Sequence, residues 1–493
     1  MPEAPVIDTG NTAWLLVSTA LVLLMTPGLA LFYGGLNRSK GVLNMMMMSF
    51  SAIGLVSILW LFYGFTVAFG GGGRFWGDLG QYLGTKTFVG EADLWGETGI
   101  PIYVFMAFQM MFAIITVALI SGALSDRTKF AGWLLFAAGW ATFVYFPVAH
   151  MVWGGGLIGG DIGALDFAGG TAVHINAGAA ALAVALVVGR RNGWPRESTK
   201  PHNVPLVALG AGLLWFGWFG FNAGSELTAD TVTALAFVNT QVAAAAAVLG
   251  WMAAEWIRDR RPTLVGASSG AVAGLVAITP ACAFITPAAA ALLGVVAGAV
   301  CALAVSVKHR LRYDDSLDVV GVHFVGGWIG SLWIGLFGTS SVSSLVASDG
   351  LFVGGDFALL GRQALGALIV SGYSFAVALV LGLVIHRTIG LRVSADAEVD
   401  GIDVAEHAES AYDYSPATGG GGAFAMAGIG PVRDSAEAAP AAAAPAAAAP
   451  TAEAPTAEEP TAAAPTAEAP DGAAPDGAAP APDRRHVNET ISG

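Results

Sequence analysis

The feature that most constrains this chain is a series of long apolar runs, separated by short polar or glycine- and proline-rich stretches. A run of ~20 apolar residues is long enough to cross the ~30 Å hydrocarbon core of a bilayer as an α-helix. The runs are continuous and do not alternate with polar residues, which excludes a membrane β-barrel. Only 12% of the residues are charged, against roughly 25% in an average soluble domain. The sequence therefore predicts an all-α polytopic membrane protein.

Counting the runs gives a predicted set of membrane-spanning helices. They lie near residues 12–33, 42–69, 101–122, 130–149, 167–189, 204–222, 234–257, 263–284, 287–307, 319–340 and 360–386. About eleven transmembrane helices are typical of two five-helix halves of inverted orientation plus one extra helix. Such an arrangement places the functional site near the bilayer midplane, between the two halves.

The distribution of Lys and Arg between the loops predicts the orientation. One set of alternate loops, with the segment after the last run, carries sixteen basic residues, and the opposite set carries only Arg74, Lys86 and Arg362. Basic residues accumulate in cytoplasmic loops, so the N-terminus is expected outside and the C-terminus in the cytoplasm. Residues 1–10 lack the basic region of a secretory signal. We therefore expect a multi-pass plasma-membrane protein whose first run is a membrane helix.

The net charge of −14 comes entirely from the C-terminal part of the chain. Residues 1–392 carry 19 basic and 19 acidic residues, whereas residues 393–493 carry 3 and 17. This balance excludes the basic surface of a nucleic-acid-binding protein. We expect a membrane domain over 1–392, a cytoplasmic C-terminal segment over 393–430, and a disordered Ala/Pro/Glu-rich tail over 431–493, because the tail has almost no residues that could form a core.

Two histidines stand out because ionisable groups inside membrane helices are costly and usually face the bundle interior. His174 lies in the fifth run and His323 in the tenth, and a glycine follows each four residues later, at Gly178 and Gly327. A glycine one turn away lets another helix approach closely, so the two imidazoles could meet. The alternatives are ordinary interhelical hydrogen bonds or axial ligation of a haem. Asp166, at the start of the fifth run, is either an N-cap or part of the same site.

Aromatic residues cluster at the predicted outer ends of several helices. Phe108 and Phe112 fall on one face of the third run, Trp153 ends the fourth, and Phe221 and Ser225 end the sixth. Core packing or an interfacial aromatic belt would explain such residues. Aromatic faces beside a hydroxyl could also hold a small cation by cation–π attraction and a hydrogen bond.

The two cysteines, Cys282 and Cys301, both lie in apolar runs. They support neither a disulfide framework nor a thiolate metal site, and they are expected to be packed thiols. No cofactor or metal is predicted.

Several long motifs resemble the ammonium transporter family, whose relatives include the Rh proteins. They are LFYGGL from Leu31, HMVWGGG from His150, ALDFAGG and HIN around His174, GWFGFNAGS from Gly217, ITPAC from Ile278, GVH from Gly321 and GLRV from Gly390. The resemblance runs from about Trp14 to Tyr412. It implies a homotrimer of eleven-helix subunits in the lipid bilayer, each with its own pore for ammonium or ammonia, and a transport protein instead of an enzyme.

The resemblance also implies roles for individual residues. Phe112, Trp153 and Ser225 would bind external ammonium with support from Asp166, Phe108 and Phe221 would be stacked rings that gate the pore, and His174 and His323 would be a hydrogen-bonded pair lining it. A separate hypothesis is an ammonium sensor built on the same scaffold. No catalytic domain is recognisable after Arg392, which argues against a self-contained sensor.

Two features depart from the family pattern or extend it. Phe324 follows His323 directly, where many members have a small residue. The stretch GIDVAEHAESAYDYS from Gly401 resembles the family's cytoplasmic C-terminal segment, which contacts neighbouring subunits and in many bacterial members helps to dock a trimeric P-II signalling protein. The acidic extension after Pro431 has no counterpart, and its composition is typical of a flexible, solvated tail.

Overall fold

The computed structural model describes residues 6–85, 93–196 and 200–412. The predictions for residues 413–430 and for the tail at 431–493 lie outside the described residues.

Helices that could cross a membrane dominate the described chain. They are α1 (Thr9–Leu36), α2 (Val42–Phe69), α3 (Ile102–Leu124), α4 (Phe130–Ile162), α5 (Gly170–Val188), α6 (Val204–Glu226), α7 (Thr231–Asp259), α8 (Leu264–Ile278), α9 (Pro287–Leu311), α10 (Val320–Phe337) and α11 (Phe357–Thr388). Within the described residues, ten are long and apolar enough to span a bilayer, and α8 is a shorter apolar helix. The chain is thus an all-α, multi-pass membrane protein, as the apolar runs predicted.

The eighth run was predicted to be helical to residue 284, but α8 ends at Ile278. Pro280 explains the early end, because proline has no N–H to continue the hydrogen-bond ladder of the helix. The following turn carries Pro280 against α5, where a Cβ added at Gly170 would lie 2.4 Å from its ring. The backbone N–H of Phe167 donates to the Pro280 carbonyl at 3.1 Å. This turn therefore helps to position the start of α5.

A few short elements lie outside the apolar runs. Between α2 and α3, Leu94–Trp95 pairs antiparallel with Ile100–Pro101 as β1 and β2. Short 3₁₀ turns occur at Leu83–Thr85 and Leu351–Val353. The Trp95 ring stacks on Phe105 of α3, with ring centroids 3.8 Å apart. The small sheet thereby brings a second aromatic ring to the end of α3.

Glycines allow α5 and α10 to meet at backbone distance. A Cβ added at Gly178 would lie 2.6 Å from the backbone nitrogen of Phe324, and one at Gly327 would lie 2.9 Å from the Gly170 carbonyl oxygen. Both distances are too short for a real side chain, so each helix needs a glycine where the other passes. The close approach expected from the two glycines beside the histidines is confirmed. Phe324 contributes its backbone and Cβ to this crossing.

The C-terminal segment up to Tyr412 forms two short helices, α12 (Ala395–Asp400) and α13 (Ile402–His407). The Asp403 carboxylate accepts hydrogen bonds from the backbone N–H groups of Leu43 and Asn44, at 3.0 and 2.8 Å. The Glu406 carboxylate accepts one from the N–H of Phe130 at 2.8 Å. Carboxylates at helix N-termini satisfy open N–H groups and favour the helix dipole. The segment therefore caps α2 and α4 from the side that carries the basic loops.

Buried charges join the loops on the same side. The Arg191 guanidinium pairs with Asp314 at 2.9 Å, and both side chains are almost fully buried. Arg127 is also buried and donates to carbonyl oxygens of four residues, including Gly189 at 2.8 Å. Burial lowers the pKa of Arg127 to about 10. Burial raises the pKa of Asp314, but the hydrogen bonds and charges of Arg191 and Arg127 outweigh it, so its pKa lies below the usual value.

Candidate functional site

An open cavity of about 150 Å³ lies at the end of α3, α4 and α6 opposite the basic loops. Its walls are formed by Phe69, Trp95, Phe105, Gln109, Phe112, Trp153, Phe167, Ser225 and Leu227. Three of the four residues predicted to bind ammonium, Phe112, Trp153 and Ser225, therefore line one space. The cavity is mostly aromatic, with Gln109 and Ser225 as its polar side chains, so it offers ring faces and oxygen atoms to a small cation.

Trp153 is held by the start of α5. Its indole N–H donates to the backbone carbonyl of Asp166 at 2.8 Å. The two carboxylate oxygens of Asp166 each accept two backbone N–H bonds from residues 169–172, at 2.7 to 3.0 Å. The Asp166 carboxylate thus caps the start of α5 from a position three residues before the N-cap residue Gly169, which agrees with the first of the two alternatives that the sequence leaves open. Its carboxylate does not line the cavity, and it reaches the predicted site through the backbone that positions Trp153.

The ring contacts differ from the predicted Phe108–Phe221 stack. Phe221 stacks on Phe112, with centroids 4.1 Å apart and planes at 25°. Phe108 packs tilted against Phe112 at 4.9 Å. The reason is the position of each ring along α3. Phe108 lies one turn nearer the start of α3 than Phe112, and the edge of its ring is 3.1 Å from a Cβ added at Gly224. Helical spacing placed both rings on one face of α3 but did not fix which one is opposite Phe221.

Phe112 also connects the stack to the cavity. Its ring meets Trp153 edge to face, with centroids 6.1 Å apart and planes at 90°. Phe112 and Phe221 are almost completely buried, whereas Trp153 is only half-buried. Phe112 therefore forms an aromatic floor of the cavity, and Phe221 stacks beneath it.

Ser225 lies in the last turn of α6, at the cavity wall. Its hydroxyl donates to the Phe221 carbonyl at 2.8 Å, which leaves the oxygen lone pairs able to accept a hydrogen bond from a bound cation. The nearby Asn222 is different, because it is fully buried and donates to Thr240 at 3.0 Å. Of the two residues, only Ser225 lines the cavity.

His174 and His323 lie beneath the aromatic floor and contact each other. Their Nδ1 atoms are 3.2 Å apart, and the nearly parallel rings have centroids 5.3 Å apart. Both are almost completely buried. Each lies in a π-helical turn at the start of its helix, Gly170–Ile175 in α5 and Val320–Phe324 in α10. Such turns are rare and are often found at functional sites. The two histidines thus occupy equivalent positions in helices of corresponding rank.

The contact between the Nδ1 atoms constrains the protons on the two rings. If both rings are neutral, one Nδ1 carries the proton and donates, and the other accepts. The donor ring then has a bare Nε2, and the acceptor ring has an Nε2–H. Within the described residues, the buried Nε2 of His174 has no hydrogen-bond partner. A buried polar atom without a partner is costly, so this atom is available to a polar molecule in the adjacent space.

A narrow apolar passage surrounds the histidine pair. It is lined by Met25, Leu29, Phe32, Ile115, Leu119, Val173, His174, Leu214, Trp218, Phe221, Val272 and His323. It encloses only about 10 Å³ of free space, roughly the minimum for a single water molecule. Apart from the two imidazoles, the Trp218 indole and the Met25 thioether, its walls are hydrocarbon or phenyl. An ion would have to shed its hydration shell to enter.

Trp218 is the main lining residue that sequence reasoning missed. Its ring lies against His174, with centroids 5.5 Å apart and planes at 22°. Its indole N–H donates to the Thr279 hydroxyl at 2.8 Å, which fixes the ring against the imidazole. Spacing could have indicated it, because Trp218 precedes Phe221 by three residues and so shares its helix face.

The sequence matches the model of the Ammonium Transporter Family over residues 13–412. The chain belongs to the ammonium transporter family. It is 55% identical over 444 residues to a Mycobacterium tuberculosis protein named Ammonium transporter, covering 85% of this chain and 93% of the relative. The family match spans every residue of the cavity and the passage.

Solved structures share the fold. The crystal structure of Candida albicans Mep2 superposes with a TM-score of 0.71 at 33% identity, covering 79% of this chain and 87% of that one. A solved structure named Sensor Amt Protein superposes with a TM-score of 0.74 at 29% identity, covering 81% of this chain and 98% of that one. This family member thus resembles proteins named for transport and one named for sensing.

Proposed function

We propose that this protein transports ammonium by binding it at the aromatic cavity, removing one proton, and conducting neutral ammonia through the histidine-lined passage. The observation that carries the proposal is the order of the two spaces. A cavity suited to a cation adjoins, through the Phe112–Phe221 stack, a passage too narrow and apolar for a hydrated ion.

The cavity supplies the interactions that ammonium requires. The faces of Trp153 and Phe112 attract a cation, and the attraction reaches ~2 kcal/mol where water is excluded. The Ser225 oxygen accepts one N–H of the ion. Tetrahedral ammonium has N–H donors that potassium lacks, although the two ions have similar size and equal charge. The hydroxyl oxygen and the aromatic rings can nevertheless bind either cation, because oxygen lone pairs also coordinate potassium, so the cavity alone selects weakly.

The passage supplies the stronger selection. A bare ion in an apolar constriction loses solvation at a cost of several kcal/mol, whereas ammonia is neutral. Ammonium can become neutral by giving up a proton, and potassium cannot. If deprotonation precedes entry, ammonium passes as ammonia and potassium is excluded. The selection then does not need a binding site that distinguishes the two ions by size.

The histidine pair gives ammonia hydrogen-bonding partners in this passage. A bare Nε2 accepts an N–H of ammonia, and an Nε2–H donates to its lone pair. We propose that the released proton crosses through the same pair, because imidazole can accept a proton at one nitrogen and release it from the other. Transport would then move net charge.

We propose that transport is directed inward, with the aromatic cavity outside and the C-terminal segment in the cytoplasm. The basic loops support this orientation, because Arg127, Arg191 and Lys308 lie at the end opposite the aromatic cavity and basic residues accumulate on the cytoplasmic side. We further propose a homotrimer with one pore per subunit, and docking of a P-II signalling protein on the cytoplasmic face. Native mass spectrometry of purified protein, alone and with a P-II protein, tests both: a monomer or no complex would contradict them.

The sequence is also compatible with two other functions, haem binding and ammonium sensing. The histidine pair does not fit haem, because axial ligands face each other across the iron, whereas these Nδ1 atoms are in hydrogen-bond contact within a passage of about 10 Å³. Sensing without transport has one supporting observation, the likeness to the structure named Sensor Amt Protein. Uptake of substrate into proteoliposomes distinguishes transport from sensing, because a sensor that does not conduct would give no uptake.

The experiment is uptake of labelled methylammonium into proteoliposomes, with ammonium and potassium as competitors. Trp153→Leu removes the ring that closes the cavity, and we expect about tenfold weaker competition by ammonium, from the loss of one cation–π contact. Trp76→Leu is the matched control, because Trp76 is an exposed tryptophan at 56% and does not line the cavity. Absence of uptake by the unaltered protein would overturn the proposal. If ammonium competed equally well in the Trp153→Leu and Trp76→Leu variants, the assignment of Trp153 to the binding site would be overturned.

A further inference from the structure

A second cavity lies at the opposite end of the protein, among the basic loops. It has a volume of about 670 Å³ and lies between the loop after α5 and the end of α9. Arg190, Trp194 and Arg196 line one wall, and His309 and Arg312 line the other. This volume is within the range of about 300–1,000 Å³ typical of small-molecule sites. No step of ammonium transport uses these residues.

The three arginines of this cavity are not neutralised by acidic residues of the described chain. Neighbouring basic residues are paired: Arg191 with Asp314 at 2.9 Å, and Lys308 with Asp318 at 2.6 Å. By contrast, Arg190, Arg196 and Arg312 form no ion pair among the described residues, and no acidic side chain lines the cavity. Three positive charges around one concave space attract anions strongly.

Aromatic contacts hold part of the cavity wall in place. The Trp194 ring stacks on His309, with centroids 5.7 Å apart and planes at 9°. The Arg190 guanidinium lies 5.5 Å from the centre of the Trp194 ring, and its Nε donates to the Arg312 carbonyl at 2.9 Å. These contacts link the α5 loop to the end of α9 and orient one guanidinium beforehand. Preorganised arginines lose less freedom when they bind a ligand.

The chemistry and the position of the cavity indicate the ligand. The guanidinium fork matches the oxygens of phosphate and carboxylate groups, and several arginines around one space suit a group with three or four oxygens. The cavity adjoins the ends of α5 at Val188 and α9 at Leu311, where membrane helices leave the bilayer. Lipid phosphates lie at that level, and the facing solution supplies soluble phosphates.

We propose that this cavity binds a phosphate-bearing anion, either a lipid headgroup or a soluble phosphate compound. Trp194, Pro195 and His309 also line a neighbouring space of about 280 Å³ together with Leu36 and Asp318. These three residues therefore form a wall that the two spaces share.

Two variants with equal loss of charge test the proposal. Arg196→Gln with Arg312→Asn removes two charges from the cavity, and asparagine suits the left-handed backbone at residue 312, where φ is 60°. Arg260→Asn with Arg261→Gln is the matched control. It removes two exposed charges from another loop on the same side, one of them also at a left-handed position, with φ of 63°. Neither pair makes a side-chain contact within the described residues that would endanger folding.

Two binding measurements distinguish the sources of phosphate. In the first, native mass spectrometry counts phosphatidylglycerol retained from mixed phosphatidylglycerol and phosphatidylcholine nanodiscs. In the second, calorimetry follows pyrophosphate added to protein in phosphatidylcholine nanodiscs, with citrate as a carboxylate control. Binding in the first measurement identifies a lipid headgroup, and binding in the second identifies a soluble phosphate.

We expect the cavity variant to weaken binding of the phosphate probe about tenfold and the control variant to leave it nearly unchanged, because only the former loses direct charge-assisted hydrogen bonds. Absence of binding in both measurements would overturn the proposal. Equal weakening in the two variants would also overturn it, since it would show a diffuse effect of charge. Citrate binding as tightly as pyrophosphate would contradict selection of phosphate.

Discussion

Phe112 is the residue whose contacts connect the aromatic cavity with the passage. Its ring touches Trp153 on the cavity side and stacks on Phe221 on the other. Phe108, one turn away on the same helix, contacts Phe112 but has no ring contact with Phe221 among the described residues. The same substitution at these two positions therefore separates a role at the entrance from a role in packing.

We expect Phe112→Leu to weaken ammonium affinity about tenfold and Phe108→Leu to change it less than about threefold, because only the former removes a ring that contacts both Trp153 and Phe221. The two residues are almost equally buried, so their packing losses are matched. Concentration dependence of methylammonium uptake measures the difference. A larger effect at Phe108 would contradict the assignment of Phe112 to the entrance.

At the residue scale, the sequence indicated which residues line the site better than it indicated which of them contact each other. His174 and His323 could be paired because each lies in an apolar run of corresponding rank and each precedes a glycine by four. The level of the phenylalanine rings could not be predicted, since it depends on how far α3 and α6 are shifted along each other. The stacking of Trp218 on His174 could not be predicted either, because it also depends on how the helices are shifted along each other.

At the scale of helices, the crossing of α5 and α10 determines whether the two imidazoles meet. The glycine spacing predicted this crossing, and the early end of α8 at Ile278 was missed because Pro280 lies inside an otherwise apolar run. Length and apolarity predict that a helix exists, whereas its last turn depends on local hydrogen bonding. The π-helical turns that carry the histidines likewise leave no signal in apolarity.

Gly178→Ala tests the crossing. The added methyl would lie 2.6 Å from the Phe324 backbone nitrogen, so we expect a loss of about 1–3 kcal/mol of stability from overpacking and a matching loss of uptake. Gly212→Ala, in α6, is the control, because no atom lies within 4 Å of its added methyl. There alanine should be neutral or stabilising by up to about 1 kcal/mol, since it favours helix. Thermal unfolding in detergent measures both, and equal midpoints would contradict the tight crossing.

At the scale of the whole molecule, ion pairs and carboxylate caps join the basic loops to α12 and α13. The buried Arg191–Asp314 pair connects the loop after α5 to the loop after α9. The sequence indicated charged loops on this side but could not indicate their partners, which are more than a hundred residues apart in the chain. Pairing at that separation depends on the completed fold.

Asp314→Asn should destabilise the protein by up to about 3–5 kcal/mol, because it removes the closer of the two carboxylates beside the buried Arg191 and leaves Asp126 at 3.8 Å. Asp161→Asn breaks the shorter but exposed Arg74–Asp161 pair, 2.6 Å long, and should cost at most about 1 kcal/mol. Thermal unfolding of the two variants compares the pairs. A larger loss of stability from Asp161→Asn than from Asp314→Asn would show that burial does not determine how much these ion pairs stabilise the protein.

The Asp314 pair also predicts a dependence on pH. Its pKa is lower in the folded protein than in the unfolded chain, so its stabilisation is complete above the unfolded value of about 3.9 and is lost as pH falls through the folded value. The unaltered protein should therefore lose stability below about pH 4 more steeply than Asp314→Asn. Unfolding midpoints between about pH 3 and 7 measure this, and parallel curves would contradict it.

The central claim, that the cargo loses a proton before it enters the passage, is tested most directly by currents from proteoliposomes after ammonium or potassium jumps, with uptake counted in parallel. The account predicts an ammonium current with counted uptake and no potassium current. It also predicts that His174→Ala with His323→Ala reduces the ammonium current about tenfold or more, through loss of both hydrogen-bonding partners. A potassium current through the unaltered protein, or an undiminished ammonium current with the same selectivity in the double variant, would contradict it.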